Sequence, residues 1–405
     1  MSWGTKRIED ICEKVTSGGT PKSTNMSFYN PKEVPWLKTG EVNYCRIYDT
    51  ETYISYEGLA RSSAKMIPED SVIVAMYGQG DTAGRVAINK IPLCTNQACC
   101  NLIINKDIAD YEYVYYLLSM LYEKLVSLKN GGAQPNLNAG IIKDIEIPLP
   151  DIEIQHKVAG ILSAYDALIE NNQKQIKLLE EAAQRLYKEW FVDLKFPGYE
   201  DCKVVDGVPE GWKKKRADDF FEITIGKTPP RSEKQWFVSE NKGIKWISIS
   251  DMGKAGVYIC NTNESLTEEA VDKHNVKVVP NGTVLVSFKL TVGRVSITTE
   301  DMCTNEAIAH FYIKDDYLRE YTYLYLKMFE YDTLGNTSSI SKAVNSKIIK
   351  SMTFIMPDDE TIKAFLKTVR PYFDLIYDRQ QMILKAQEVR DRLLPKLMNE
   401  EIEVG

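Results

Sequence analysis

Three short strings in this chain carry residue types that do chemistry elsewhere. Gly78-Gln79-Gly80-Asp81-Thr82-Ala83-Gly84 has the glycines of a loop that cradles a phosphate. Gly226-Lys227-Thr228 has the ending of a nucleotide-binding loop. Pro357-Asp358-Asp359-Glu360, with Lys363 close behind, has the carboxylates and lysine of a metal-dependent nuclease. None of the three reads as a working site. The first lacks the G-x-G-x-x-G spacing. In the second, Phe221 stands where the first glycine is required, and Pro229-Pro230 replaces the helix that would hold the phosphate. Asp358 and Asp359 open a helical pattern, where carboxylates cap free N–H groups and offset the helix dipole. His156, His274 and His310 are scattered, and the eight cysteines include no C-x-x-C pair. No Asn/Asp-Pro-Pro-Tyr/Phe string of an amino-methyltransferase occurs.

What recurs in this chain is its frame. Trp3 is matched by Trp212, and Gly18-Gly19-Thr20-Pro21 by Gly226-Lys227-Thr228-Pro229. Val34-Pro35-Trp36-Leu37 is matched by Ile244-Lys245-Trp246-Ile247, and Gly84-Arg85-Val86 by Gly293-Arg294-Val295. Thr95-Asn96-Gln97-Ala98 returns as Thr304-Asn305-Glu306-Ala307, and Ile141-Ile142-Lys143 as Ile348-Ile349-Lys350. The spacing stays near about 209 positions throughout, so the chain is two copies of one unit. An enzyme with two active sites would repeat its catalytic groups. Here glycine, proline, tryptophan, asparagine and apolar residues repeat, the vocabulary of scaffold and loop geometry.

Each copy opens with a glycine- and proline-punctuated, strand-rich stretch. Ser71–Met76 and Thr283–Phe288 read as buried strands. A Tyr/Leu-rich helix follows (Glu112 to Leu128; Leu318 to Glu330), then a short strand ending in proline. Each copy closes on a long helix. From Asp151 to Phe196, apolar residues recur every three or four positions: Ile154, Val158, Ile161, Tyr165, Ile169, then Ile176, Leu179, Ala183, Leu186, Trp190. Such a stripe is a coiled-coil seam and needs a partner helix. The second long helix, about Glu360 to Met398, supplies it, with Pro371 expected to bend or break its first third. An antiparallel pairing predicts Trp190 near Ile362, Ile154 near Leu397, and an Asn172–Gln380 polar contact that fixes register. Leu162, Leu168, Leu178, Tyr187 and Phe191 widen the stripe, either toward a second partner helix or into a thicker domain core.

Composition sets further bounds. The 405 residues are 44% hydrophobic and 26% charged, ordinary for a soluble protein of two or three domains. No apolar run approaches the roughly 18 residues of a membrane span, and Met1–Asp10 is too polar for a signal peptide. Cysteines without spacing read as small buried hydrophobes in a reducing cytoplasm. A net charge of −7 argues against a purely electrostatic nucleic-acid binder, though not against one with local basic loops.

Several strings now combine: Gly18-Gly19-Thr20-Pro21, Val34 to Val42, Gly84-Arg85-Val86-Ala87, Asn96-Gln97, Gly131 to Leu137, Ile147-Pro148-Leu149-Pro150 with Glu153-Ile154-Gln155, and Val208-Pro209-Glu210-Gly211-Trp212. In this duplicated order the chain resembles the specificity subunit of type I restriction-modification systems, over nearly its whole length. The first copy departs by lacking the Pro-Glu-Gly-Trp opening. The second departs with Thr337 to Lys342 in place of the Gln-Pro-Asn loop. The resemblance implies an α+β architecture: two mixed α/β target recognition domains separated by a long antiparallel two-helix coiled coil, related by a pseudo-two-fold repeat. The segments are 1–150 (first domain), 151–196 (central helix), 197–211 (connector), 212–357 (second domain) and 358–400 (distal helix). It also implies a non-catalytic protein that binds double-stranded DNA in two unlike half-sites. Two methyltransferase (modification) subunits dock on it, and restriction subunits through them. S-adenosylmethionine, ATP and Mg²⁺ belong to those partners, with no cofactor and no membrane for this chain.

Base readout needs donors and acceptors at groove edges. Loops that vary on the repeated frame offer Lys38, Thr39, Tyr77, Gln79, Arg85, Gln134 and Asn136 in the first copy. The second offers Ser248, Ser250, Lys289, Thr291, Arg294, Ser339 and Lys342. Arg85 and Arg294 recur at one frame position, which fits phosphate contact or a structural pairing better than base readout. Lys213-Lys214-Lys215-Arg216 is a basic run that is either solvated or on phosphate. A coiled-coil scaffold with two peptide- or ligand-binding domains and no DNA is the alternative that the acidic balance leaves open.

Overall fold

The computed structural model describes residues 3–129, 136–205, 207–239, 242–334 and 344–404. They form two compact units, one of residues 1–169 with 385–405, the other of residues 170–384.

In the first unit, Val72–Ala75 lies in the middle of a five-stranded sheet. The strand order is Cys12–Ser17, Cys99–Ile104, Val72–Ala75, Val86–Asn89, Cys45–Ile47. Val72 and Val74 face the helix Tyr111–Met120 across one apolar cluster, while Ile73 and Ala75 pack with Leu37, Ile67 and Leu93 in another. Burial on both faces is why this strand reads as a continuous apolar run instead of an alternating one. A second, four-stranded sheet runs Tyr53–Ile54, Val34–Leu37, Leu93–Thr95, Met66–Ile67. Gly4–Arg7 pairs antiparallel with Glu146–Leu149.

The second unit repeats this plan strand for strand. Its main sheet runs Glu222–Ile225, Ile308–Tyr312, Val284–Ser287, Val295–Thr298, Tyr258–Ile259. Its second sheet runs Glu264–Leu266, Ile244–Ile247, Met302–Thr304, Val278–Val279, with Phe237–Ser239 added at one edge. The basic run Lys213–Arg216 is a strand paired with Thr353–Met356. All four of its side chains are exposed, and Arg216 is tied to Asp218. The connector contains a short turn at Tyr199–Asp201 and a two-residue ladder of Val204–Val205 with Val208–Pro209.

The central helix spans Ile152–Tyr187 and continues as a π-helical turn over Lys188–Val192, shorter than the expected reach to Phe196. The wider turn lets Tyr187, Trp190 and Phe191 all pack on Phe365, at ring-centroid distances of 6.5, 5.6 and 4.8 Å. The distal helix runs unbroken from Asp359 to Met398, so the break expected at Pro371 is absent. Leu366, Val369 and Phe373, buried on either side of the proline, hold both flanking turns in the core.

Within the second unit, Trp190 packs against the cluster that contains Ile362. Within the first, Ile154 packs against the cluster that contains Leu397. In the first unit Arg390 Nη1 meets Asp166 Oδ1 at 2.6 Å, and the Tyr116 hydroxyl donates to the other oxygen of that carboxylate.

The expected Asn172–Gln380 contact is not what Gln380 makes. Its amide nitrogen donates to the carbonyls of Ala255 (2.7 Å) and Tyr258 (3.2 Å), and its oxygen accepts from the Tyr258 N–H (3.1 Å). A side-chain amide has two donors and an oxygen with two lone pairs, and the sheet edge engages the donors and one of the lone pairs. Gln380 therefore ties the strand Tyr258–Ile259 to the helix. The widened stripe divides similarly. Leu162, Tyr187 and Phe191 are buried in domain cores, whereas Leu178 is 65% and Leu168 38% exposed.

Candidate nucleic-acid interface

The repeated strings build one frame twice. A Cβ on Gly18 would lie 2.2 Å from the carbonyls of Thr95 and Asn96; on Gly226 it would lie 2.1 Å from the Asn305 carbonyl. Only glycine lets the chain pass so close to the Thr-Asn corner. Trp36 Nε1 donates to the Gly19 carbonyl at 2.9 Å and Trp246 Nε1 to the Lys227 carbonyl at 3.3 Å. Thr20 bonds Gln97, and Thr228 bonds Glu306. Asn96 and Asn305 each accept from the N–H two residues on, at 3.2 and 3.0 Å, as Asx turns do. Beneath this corner, Asn101 bonds Thr95 in the first copy, and His310 lies 2.6 Å from Thr304 in the second. Burial pushes the His310 imidazole down to about 3, so it is neutral there.

Around that corner the loops converge. In the first unit, Asn96 N–H bonds the Leu37 carbonyl, Met76 N–H the Ala98 carbonyl, and Leu137 N–H the Met76 carbonyl. Lys38–Thr39, Tyr77–Gln79 and Asn136 therefore emerge side by side. In the second unit, Asn305 N–H bonds the Ile247 carbonyl and Phe288 N–H the Ala307 carbonyl. Ser248–Ser250 and Lys289–Thr291 emerge in the corresponding place.

The candidates separate by what already holds them. Thr39 is buried and its hydroxyl oxygen lies 3.4 Å from the Asn96 amide. Ser248 caps the helix Ile249–Ala255, its hydroxyl donating to Asp251 at 2.7 Å. Arg294 donates to the Ile249 carbonyl at 2.5 Å, and Gly253 leaves room for its guanidinium. These three belong to the frame. Arg85 is bridged to Asp81 (2.6 Å) and Asn43 (2.9 Å), and that guanidinium holds the Asp81 carboxyl below its usual range. Tyr77 is half-buried, and burial raises its phenol. Lys38, Gln79, Asn136, Ser250, Lys289 and Thr291 are exposed. Gln134, Ser339 and Lys342 lie outside the described residues. Burial works against the Glu306 carboxylate, yet the Thr228 hydroxyl and nearby Lys289 and Arg231 keep it below its ordinary value.

Sequence reasoning missed Leu290, 94% exposed between Lys289 and Thr291. It also missed the acid that occupies Arg85. No string signal marks Leu290, whose exposure depends on the loop's fold; Asp81 stands only four residues before Arg85, and that closeness in the string was the available signal. Among the described residues no three His, Cys, Asp or Glu side chains group to hold a metal ion, and no helix is long and apolar enough to cross a membrane.

Two copies of one frame, each presenting variable loops at one corner and each followed by a long helix, define a duplicated recognition protein. The family model described as the type I restriction modification DNA specificity domain matches residues 1–181 and again 209–403. The chain belongs to that family. It is 30% identical to the type I restriction enzyme MjaIX specificity subunit of Methanocaldococcus jannaschii, covering 99% of this chain and 94% of that one. It is 27% identical to the HindI specificity subunit of Haemophilus influenzae over 74% and 79% of the two chains. Its fold is shared with the solved S subunit of the M. genitalium type I system. The TM-score is 0.60 at 15% identity, covering 98% and 96% of the chains.

Proposed function

We propose that this chain is the non-catalytic subunit that gives a type I restriction-modification complex its DNA sequence specificity. Each copy reads one half of a bipartite, asymmetric duplex target. The observation that carries the reading is the doubled corner: one repeated frame, two unlike sets of exposed loop side chains. Lys38, Tyr77, Gln79, Arg85 and Asn136 would face one half-site, and Ser250, Lys289 and Thr291 the other. Amide and hydroxyl groups read base edges, and the cations hold phosphate and set position. Few cations among them fits a protein of net charge −7, in which phosphate attraction is local.

The long helices, of 36 and 40 residues, join the copies and set the untouched gap between half-sites. Their exposed apolar residues, Leu178 and Leu375 among them, suit the docking of two modification subunits, with restriction subunits attached through those. S-adenosylmethionine, ATP and Mg²⁺ are handled by these partners. The complex works in the cytoplasm, where its DNA lies.

The test is to purify the chain with its modification subunits and measure binding to specific and random duplexes across a salt series. Selective binding, weaker at higher salt with a log–log slope set by the phosphates contacted, is expected. A chain that forms no such complex, or a complex with no selectivity at any salt, would leave a scaffold without a DNA role.

A further inference from the structure

The exposed loop between the two central strands of the second unit has a feature that hydrogen-bond readout does not use. Leu290 sits at its tip with φ 61° and is 94% exposed. In the first unit the corresponding loop also turns through the left-handed region, but there the residue is Gly80, with φ 62° and open space around its Cα. Glycine adopts that conformation freely, whereas a non-glycine residue rarely does. The second copy thus holds a bulky apolar side chain, in a disfavoured backbone conformation, aimed away from its own domain.

The tip is braced from below. Ser287 Oγ donates to the Thr291 carbonyl at 2.5 Å and accepts from the Arg294 N–H at 3.0 Å, while Gly293 N–H bonds the Ser287 carbonyl at 2.9 Å. Exposed Lys289 precedes Leu290, and Val292, 37% exposed, follows two residues on. The loop therefore pairs a cation with a protruding apolar group on a fixed base. The first-copy loop carries Gln79, Asp81 and Thr82 instead.

We propose that Leu290 is a wedge that enters the base stack of the second half-site, partly unstacking one step while Lys289 anchors the adjacent phosphate. The inference rests on the DNA-reading function proposed above. Apolar side chains at protein–DNA interfaces open base steps in this way and favour easily unstacked sequences. The two copies would then read by different physics: polar contacts in one half-site, deformability in the other.

The experiment uses the complex of this chain with its modification subunits and duplexes bearing 2-aminopurine at successive positions of the second half-site. Wild type should raise fluorescence several-fold at one step beside the wedge. Leu290→Asn keeps a residue that tolerates the left-handed turn and should abolish that rise, with target affinity down roughly tenfold and the salt slope unchanged. Leu290→Met should retain the signal. Lys289→Ala should lessen the salt slope by about one phosphate and leave the fluorescence in place. Any rise from the methyltransferase extruding its target adenine persists in Leu290→Asn and is scored separately. A signal unchanged in Leu290→Asn, or no second-half-site signal in a wild-type complex that binds selectively, overturns the wedge and leaves the proposed function standing. A wild-type complex with no selective binding overturns both.

Discussion

Gln380→Ala separates the two roles that a half-buried amide on a long helix can have. The side chain makes three hydrogen bonds to the backbone of Ala255 and Tyr258, at 2.7, 3.2 and 3.1 Å. Each is worth about 0.5–1.5 kcal/mol net, and buried groups left unpaired add to the loss. Ala255 is half-buried and Tyr258 buried, so water can replace only part of what is lost. The sum is about 2–4 kcal/mol, concentrated at the edge strand Tyr258–Ile259. Hydrogen–deuterium exchange read on the peptide containing Tyr258, alongside urea unfolding of the full chain, gives the local and global effects. Exchange at Tyr258 should accelerate by at least about tenfold, since each 1.4 kcal/mol of opening free energy is a factor of ten. If Gln380 instead set helix register, Gln380→Leu would stabilise the helix pair and leave Tyr258 exchange unchanged. That result would refute the clasp.

Three further outcomes follow from the frame. Gly226→Ala forces a Cβ to within 2.1 Å of the Asn305 carbonyl and should destabilise by at least about 2–3 kcal/mol in chemical unfolding, as should Gly18→Ala. Asp81→Asn removes the acid that bridges Arg85; binding to random duplex should strengthen a few-fold at low salt, with a steeper salt slope, and an unchanged slope would show that Arg85 never reaches phosphate. His310, neutral in the fold down to about 3, takes up a proton in the unfolded chain near its ordinary value of about 6.5. The unfolded state thus binds the extra proton between those values. Stability of the second unit should fall as pH drops through that window, by up to about 1.4 kcal/mol per unit, and His310→Asn, which copies Asn101 of the first unit, should remove that slope.

The duplication, the buried central strands and the two long helices were legible in the sequence because they rest on local pattern: apolar runs, apolar stripes and recurring glycines. The repeated Gly-x-Thr-Pro, Trp and Thr-Asn strings are scaffold for a physical reason: they form a corner where two backbones meet with no room for a side chain. The candidate contacts were legible only as far as loop placement. Thr39, Ser248 and Arg294 have the chemistry of base or phosphate ligands, but Asn96, Asp251 and the Ile249 carbonyl hold them. Those partnerships, like the clasp of Gln380 on Tyr258, depend on which residues the fold brings together. Leu290 escaped notice for the opposite reason. Polarity was the criterion, and its exposure and backbone conformation are properties of the folded loop.

The central claim is that two copies of one frame read two different half-sites across a fixed gap. Mapping methylated adenines in a host that carries this chain with its modification subunits tests it most directly, especially beside a chain whose second domain has been exchanged for that of a relative. A two-part motif with a constant gap is expected, and the exchange should change one half only. A single uninterrupted motif, a gap that varies from site to site, or methylation that ignores which domain is present would contradict it.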